Sequence, residues 1–322
     1  MASTKEAVAS PSPVPALDAQ PIAFAVMVLL LLVAPFFIYP IFLMKVLCFA
    51  LFACAFNLLI GYVGLLSFGH AAFFGMAGYV CGHAAKEWGL PPELALVAGT
   101  LAGAALGFVI GLLAIRRQGI YFAMITLALA QMVYFFCLQA RFTHGEDGIQ
   151  AVPRGLLLGL VDLNGMAGMY ALVLIVFLAG FLLIYRTIHS PFGQVLKAIR
   201  ENEPRAISLG YNVDHYKLIA FVLSAALSGL AGSMETLVFQ LAALTNVHWS
   251  MSGEVVLMTL VGGLGTVFGP VIGAAIIVAM QQYLANLGSW VLVAQGAIFV
   301  VCVLAFRRGV VGELGRVLRK TL

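Results

Sequence analysis

Long apolar runs separated by short polar stretches follow one another along most of this chain. A spanning helix needs about 20 mostly apolar residues to cross about 30 Å of hydrocarbon. Only helices satisfy their own backbone hydrogen bonds in lipid as open chains, and the sequence lacks the alternating strands of a membrane barrel. We therefore predict an all-α, polytopic inner-membrane helical bundle with about ten segments, some short or glycine-broken, at residues 22–40, 42–62, 65–82, 92–115, 120–140, 169–188, 217–240, 252–265, 267–287 and 289–306.

Charge is too scarce for a water-soluble fold. Of the 322 residues, 63% are hydrophobic and 9% are charged, whereas soluble domains carry about 25% charged residues. The 17 basic and 13 acidic side chains cannot cover a soluble surface of this size without large apolar patches. The membrane segments also leave little length for a separate catalytic or nucleotide-hydrolysing domain.

The two ends of the chain differ from its apolar middle. Residues 1–21 are small, polar and proline-containing, and they lack the basic leader and cleavage site of a signal peptide. We expect a flexible cytoplasmic tail there. Residues 22–306 are the predicted transmembrane domain, and residues 307–322 are a predicted basic cytoplasmic tail.

The basic residues predict the orientation. Cytoplasmic loops carry an excess of Lys and Arg, and three regions hold twelve of the seventeen here. The rule predicts that both termini are cytoplasmic, and that the loops near Lys86 and at residues 141–168 face the other side. Because topology accounts for the basic excess, no nucleic-acid partner is expected. The twelve residues are Arg116, Arg117, Arg186, Lys197, Arg200, Arg205, Lys217, Arg307, Arg308, Arg316, Arg319 and Lys320.

No pattern typical of a catalytic, metal or nucleotide site is present. None of the six lysines follows a glycine as in a phosphate-binding P-loop, and the six histidines lack metal-binding spacing. The five cysteines lie in apolar stretches and read as small buried hydrophobes. We therefore expect no catalytic residue, metal or cofactor in this chain.

Three ionisable residues lie in or beside the apolar segments: Lys45, Glu235 and Glu254, with Asn57 and Gln131 as polar neighbours. Ion-coupled carriers commonly keep such groups at membrane depth. The alternative is that they are hydrogen-bonded structural groups or interfacial residues, and the sequence leaves both open.

Glycine recurs in two patterns along the sequence. Gly99, Gly103, Gly107 and Gly111 recur every four residues, which predicts a smooth helix face for close packing. The run LIGYVGLLSFG, from Leu59, is echoed by LVGGLGTVFG, from Leu260.

Paired glycine-interrupted segments in two halves point to a transport path, although chance similarity between glycine-rich helices is the open alternative. Broken helices expose backbone groups that can bind the carboxylate and ammonium of an amino acid. The candidate path residues are Gly61, Gly64, Ser67, Gly69, His70, Gly262, Gly265 and Gly269.

A polar segment at residues 190–217 carries helix signals that an unstructured loop would not show. Phe192, Val195, Leu196 and Ile199 recur at helical spacing. Asn202 is a plausible N-cap, Pro204 is tolerated in a first turn, and Gly210 can end a helix that runs from about Glu203 to Leu209. We interpret the segment as a docking element across the inner face; the alternative is a loop that only fixes topology.

This segment resembles the E-A-A-x-x-x-G coupling loop of ABC importer permeases, with Pro204 and Arg205 in place of the small residues that often follow the Glu. Four further motifs occur in order: GYVGLLSFGHAAFFGMAGY from Gly61, GIYFAMITLALAQ from Gly119, the loop at residues 145–149, and LVGGLGTVFGPVIGA from Leu260. Together they are similar to the LivM-type permeases of branched-chain amino acid importers over roughly residues 25–306.

The resemblance implies an importer with a second homologous permease, two cytoplasmic ATPases that use ATP and Mg²⁺, and an external substrate-binding protein that meets residues 141–168. It implies no catalysis by this chain. The alternatives are a secondary carrier or channel without an ATPase, or an ABC permease for urea or short amides. The implied ATPase contact comprises Arg200, Glu201, Asn202, Glu203, Pro204, Arg205 and Gly210.

Overall fold

The computed structural model describes residues 20–157, 159, 161–284, 290, 293, 296–297, 300 and 309–318, and most of these lie in helices. Short strands form two antiparallel pairs, β1 (Ile149–Gln150) with β4 (Leu241–Ala242), and β2 (Leu156–Leu157) with β3 (Val161–Asp162). The helices described are α1 (Gln20–Val33), α2 (Pro40–Tyr62), α3 (His70–Lys86), α4 (Pro92–Ala114), α5 (Ile120–Gln139), α6 (Met166–His189), α7 (Pro191–Glu201), α8 (Glu203–Ser208), α9 (Val213–Phe239), α10 (Trp249–Gly262), α11 (Gly269–Leu284) and α12 (Gly309–Leu318).

The predicted helical bundle is confirmed. The first nine predicted segments correspond to α1–α6 and α9–α11, although α3 begins at His70, after a non-helical turn. The tenth predicted segment, residues 289–306, lies largely outside the described residues. So do residues 1–19, 307–308 and 319–322 of the predicted tails.

Five described helices are long and apolar enough to cross a membrane, namely α2, α4, α5, α6 and α9. The helices α1 and α11 are apolar but shorter. At 1.5 Å per residue, the 14 residues of α10 extend only about 21 Å, which is less than the hydrocarbon thickness.

The helix α2 is the centre of the bundle. Its most apolar window is 89% buried, whereas the corresponding windows of α4 and α5 are 33% buried. A helix that is apolar on every face is stable where other helices surround it. Around α2 pack α6, α9, α10 and α11, so α2 connects four other helices of the bundle.

The helices α4 and α9 approach each other along the four-residue glycine repeat. A Cβ atom on Gly103 would lie 3.0 Å from the Gly229 Cα atom and 3.1 Å from the Ala225 carbonyl oxygen. One on Gly111 would lie 2.8 Å from a methyl group of Leu218. Gly99 and Gly107 also face α9, at Ser233 and Ala225. Small residues at such a contact allow the backbones to meet.

One end of the bundle carries the loop at residues 141–168. Its strand β1 pairs with β4, which directly follows α9. Arg154 donates hydrogen bonds to the carbonyl oxygens of Leu237 (3.2 Å) and Val238 (2.6 Å) in the last turn of α9. Lys86, at the end of α3, donates to the Gln150 carbonyl oxygen at 2.9 Å. We call this end of the bundle the loop end.

We expect Gly103→Ala to destabilise the bundle by about 1–3 kcal/mol, because the added methyl group meets backbone that side-chain rotation cannot move aside. Gly253→Ala is the matched control, since a Cβ atom there meets nothing within 4 Å. The measurement is the thermal unfolding midpoint of the purified protein in detergent. An equal response of the two variants would contradict the close α4–α9 contact.

Candidate coupling and translocation site

The segment after α6 folds into two short helices. Ser190 caps α7, and its hydroxyl oxygen accepts a hydrogen bond from the Gly193 amide at 3.4 Å. Leu196 and Ile199, two of the four residues with predicted helical spacing, are buried on the inner face of α7. Asn202 caps α8 by accepting from the Arg205 amide at 3.1 Å, which confirms the predicted N-cap.

Gly210 follows α8 with φ +89°, a conformation that L side chains rarely adopt. Beside it, α8 and the following turn expose aliphatic and aromatic side chains. Ile207 is 57% exposed, Leu209 68% and Tyr211 40%, whereas Ala206 is buried against Ile199 and Val213. The coupling surface, as we name Ile207, Leu209 and Tyr211, is therefore open to a partner.

Glu203 fixes α8 to the bundle. Its carboxylate pairs with the Lys217 ammonium of α9 at 2.7 Å, and the lysine side chain is only 3% exposed. The same oxygen accepts a hydrogen bond from the Gln118 side chain, in the turn between α4 and α5, at 2.8 Å. Because a nearly buried ion pair is costly to break, it holds α8 against α9.

Arg200 joins α7 to two glycine turns. Its guanidinium donates to the Gly61 carbonyl oxygen near the end of α2. A Cβ atom on Gly64 would lie 3.2 Å from the Arg200 side chain, and one on Gly265 would lie 3.3 Å from its guanidinium. The first residue of the predicted coupling set therefore contacts the predicted path residues directly.

Asn57 connects the two glycine motifs. Its side-chain oxygen accepts from the Gly265 amide at 3.0 Å, and its side-chain nitrogen donates to the Thr266 carbonyl oxygen at 2.9 Å. A Cβ atom on Gly61 would lie 2.8 Å from the Gly265 nitrogen. The turn between α10 and α11 is thus attached to α2, at the end of the bundle that carries α7 and α8.

The α10–α11 turn is itself tightly packed. A Cβ atom on Gly262 would collide with the Gly269 carbonyl oxygen, and one on Gly273 would lie 2.8 Å from the Gly262 amide nitrogen. Gly309, the first residue of α12, lies against the Gly263 backbone. These contacts gather five glycines where α10 ends and where α11 and α12 begin. We name this site, with Arg200, Asn57, Gly61, Gly64 and Gly265, the glycine junction.

The remaining predicted path residues lie apart from the glycine junction. His70 is fully buried, and its Nε2 lies 2.9 Å from the Ser224 hydroxyl oxygen. Aromatic rings of Phe56, Phe73 and Phe221 surround it. Ser67 accepts from the Gly69 amide at 3.1 Å. The structure therefore divides the predicted set into the glycine junction and a second cluster at the start of α3.

Sequence reasoning missed the connecting roles of Asn57 and Gln118. Asn57 had a signal, since it is a polar amide one turn before Gly61 in an otherwise apolar stretch. Gln118 had none beyond its place in a polar turn. Its partner Glu203 is 85 residues away along the chain.

Comparison with known proteins decides the family. Residues 38–305 match the family described as branched-chain amino acid transport system, permease component. The chain belongs to this family. It is a family of transport permeases rather than enzymes, and with its apolar helices this permease is a multi-pass membrane protein.

Three curated relatives resemble the permease over much of its length. It is 25% identical over 268 residues to the high-affinity branched-chain amino acid transport system permease protein LivM of Salmonella typhimurium, which covers 76% of this chain and 63% of the relative. It is 27% identical over 197 residues to the probable LivM of Methanocaldococcus jannaschii, covering 59% of this chain and 56% of the relative. It is 28% identical over 236 residues to the ribose import permease protein RbsC of Bacillus subtilis, covering 68% and 70%.

The permease thus spans about 63% of the length of the Salmonella relative. No solved structure matches the chain.

We expect Asn57→Asp to loosen the glycine junction. The carboxylate can still accept from the Gly265 amide but can no longer donate to the Thr266 carbonyl oxygen, so a buried acceptor loses its partner at a cost of about 1–3 kcal/mol. The readout is the thermal midpoint together with the rate of proteolysis in detergent. Asn212→Asp is the control, because the Asn212 cap only accepts, from the His215 amide, and an aspartate does the same. Equal stability of the two variants would contradict this role.

Proposed function

We propose that the permease is the membrane subunit of an ATP-driven importer of branched-chain amino acids or closely related small substrates. The observation that carries the proposal is the contact of Arg200 with Gly61, since it joins an exposed helical segment to the turns of α2 and α10–α11. The family match and the LivM relatives support the substrate class.

In this proposal the α7–α8 end is cytoplasmic. Arg116 and Arg117 lie in the α4–α5 turn at this end, next to Gln118, which contacts Glu203. An excess of basic residues favours the cytoplasmic side of a bacterial inner membrane. The loop end then faces outward, where residues 141–168 would meet a substrate-binding protein.

In this proposal, one of two ATPase subunits binds to the coupling surface. Ile207, Leu209 and Tyr211 are exposed on α8 and the turn that follows it, and the Glu203–Lys217 ion pair attaches the start of α8 to α9. Arg205 and Pro204 are also exposed there. ATP and Mg²⁺ bind to the ATPases, and a second homologous permease completes the path.

The proposed mechanism is alternating access. When the ATPases bind and hydrolyse ATP, α7 and α8 shift, and Arg200 transmits the shift to the glycine junction. Because Asn57 attaches the α10–α11 turn to α2, both elements move together. The substrate path is then exposed to one side and afterwards to the other.

We expect Leu209→Glu to abolish ATP-dependent uptake, because a charge replaces the most exposed apolar side chain of the coupling surface. The complex is isolated from native membranes through a tag on this chain and reconstituted in vesicles with ATP and its binding protein. The measurements are retention of the ATPase subunits and uptake of labelled leucine, each expected to fall at least about tenfold. Leu156→Glu, at a 53% exposed leucine of β2 at the loop end, is the control with normal retention.

Three outcomes would contradict parts of the proposed import function. Leucine uptake by this chain alone, driven by an ion gradient, would establish a carrier. Uptake of urea or ribose but of no amino acid would replace the substrate class. Normal ATPase retention in Leu209→Glu would remove the docking assignment.

We expect Arg200→Gln to separate ATP hydrolysis from transport. The amide is shorter and does not reach Gly61, while Ile207 and Leu209 stay in place for docking. Leucine uptake should fall about tenfold while ATP hydrolysis stays within about twofold of wild type. Arg117→Gln is the control, since Arg117 is exposed in the α4–α5 turn, lies outside the coupling set, and its side chain donates no hydrogen bond within the described part of the chain. Coupled transport in Arg200→Gln would contradict the relay.

A further inference from the structure

Three ionisable side chains that the glycine junction does not use lie at the loop end. Lys45 is in the second turn of α2, Glu235 is near the end of α9, and Glu254 is in the second turn of α10. The helix α2 packs directly against α9 and α10. Elements far apart in sequence thus bring one lysine and two glutamates together at one end of an apolar bundle.

Each carboxylate is positioned by an amide and keeps one oxygen free. Asn246 donates to Oε2 of Glu235 at 2.7 Å, and Gln281 of α11 donates to Oε2 of Glu254 at 2.9 Å. The Oε1 atom of neither residue accepts a hydrogen bond from the described residues. Glu235 is only 9% exposed. Neither Oε1 atom is fully buried, so each can accept a hydrogen bond from a ligand that reaches this end of the bundle.

Lys45 forms no direct ion pair with Glu235 or Glu254. Within the described ranges its ammonium forms no ion pair within 4.0 Å, and it lies 5.9 Å from the centre of the Phe49 ring. A structural ion pair in a nonpolar environment gains its stability from direct contact. Here the lysine and the two glutamates lie near each other without direct contact. A ligand that carries both a positive and a negative group can bind to all three.

We propose that Lys45, Glu235 and Glu254 bind the zwitterionic backbone of an amino-acid substrate as it enters from the loop end. The α-ammonium donates to the free oxygens of Glu235 and Glu254, and the α-carboxylate pairs with Lys45. The inference rests on the proposed import function and deepens it, because neither a sugar nor urea carries the charges that this zwitterion site would match.

The external loop is attached to the same elements. Arg154 caps the carbonyl groups of Leu237 and Val238, within three residues of Glu235. Asn246, the amide partner of Glu235, lies four residues after β4, which pairs with β1 of the loop. A binding protein seated on this loop would therefore release its substrate next to the zwitterion site and could shift its carboxylates.

The test uses the complete complex in vesicles with a saturating concentration of leucine-loaded binding protein. Glu235→Gln and Glu254→Gln preserve shape and remove charge, and Lys45→Met removes the cation. Each should lower leucine uptake about tenfold, which corresponds to about 1.4 kcal/mol, while subunit assembly and stimulated ATP hydrolysis stay within about twofold. Glu87→Gln is the matched control, at an exposed carboxylate of the loop end. Normal uptake in all three variants, with an active wild type, would overturn the site and leave the import function intact.

A second measurement needs no variant. A hydrophobic carbodiimide labels carboxylates of the wild-type complex, and mass spectrometry locates the label. Leucine-loaded binding protein should protect Glu235 and Glu254 at least about fivefold relative to the empty binding protein, and Glu87 should not change. Equal labelling with and without leucine would overturn the site even if the variants fail to assemble. A wild-type complex that moves no amino acid would instead refute the proposed function, and the site with it.

Discussion

Lipid offers no hydrogen bonds, so every helix that ends inside this bundle needs another part of the protein to satisfy its backbone. That constraint explains the long-range polar contacts. Arg200 reaches the Gly61 carbonyl oxygen, Asn57 reaches the Gly265 and Thr266 backbone, and Arg154 reaches the last turn of α9. At each of these three sites, a side chain from a different element binds the backbone at or near a helix end. The same bonds that stabilise the fold are the contacts through which one element can move another.

The charged side chains at the two ends of the bundle are arranged differently. At the α7–α8 end, Glu203 and Lys217 are in direct contact and fix a helix in place. At the loop end, α2 packs against the helices that carry Glu235 and Glu254, but Lys45 forms no direct ion pair within the described residues. The proposed zwitterion site depends on this separation of the charged groups.

Local features of the sequence predicted the fold well. Hydropathy located the helices because a bilayer demands long apolar runs, and Asn202 was recognisable as a cap because capping depends on residues three positions apart. The glycine junction was only partly predictable. The echo of Gly61 and Gly265 was visible, but Asn57 and Gly265 are 208 residues apart, and only tertiary packing brings them together. The same packing separates His70 from the junction, because its ring is surrounded by phenylalanines from three helices.

The central helix carries Lys45 near one end and Gly61 near the other. Its 23 residues form a rod about 35 Å long at 1.5 Å per residue. A rigid rod that tilts by about 10° around its midpoint displaces its two ends by about 3 Å in opposite directions. In the proposed mechanism, a displacement of Gly61 would therefore be accompanied by an opposite displacement of Lys45. A movement at the glycine junction would thus change the distances around the zwitterion site.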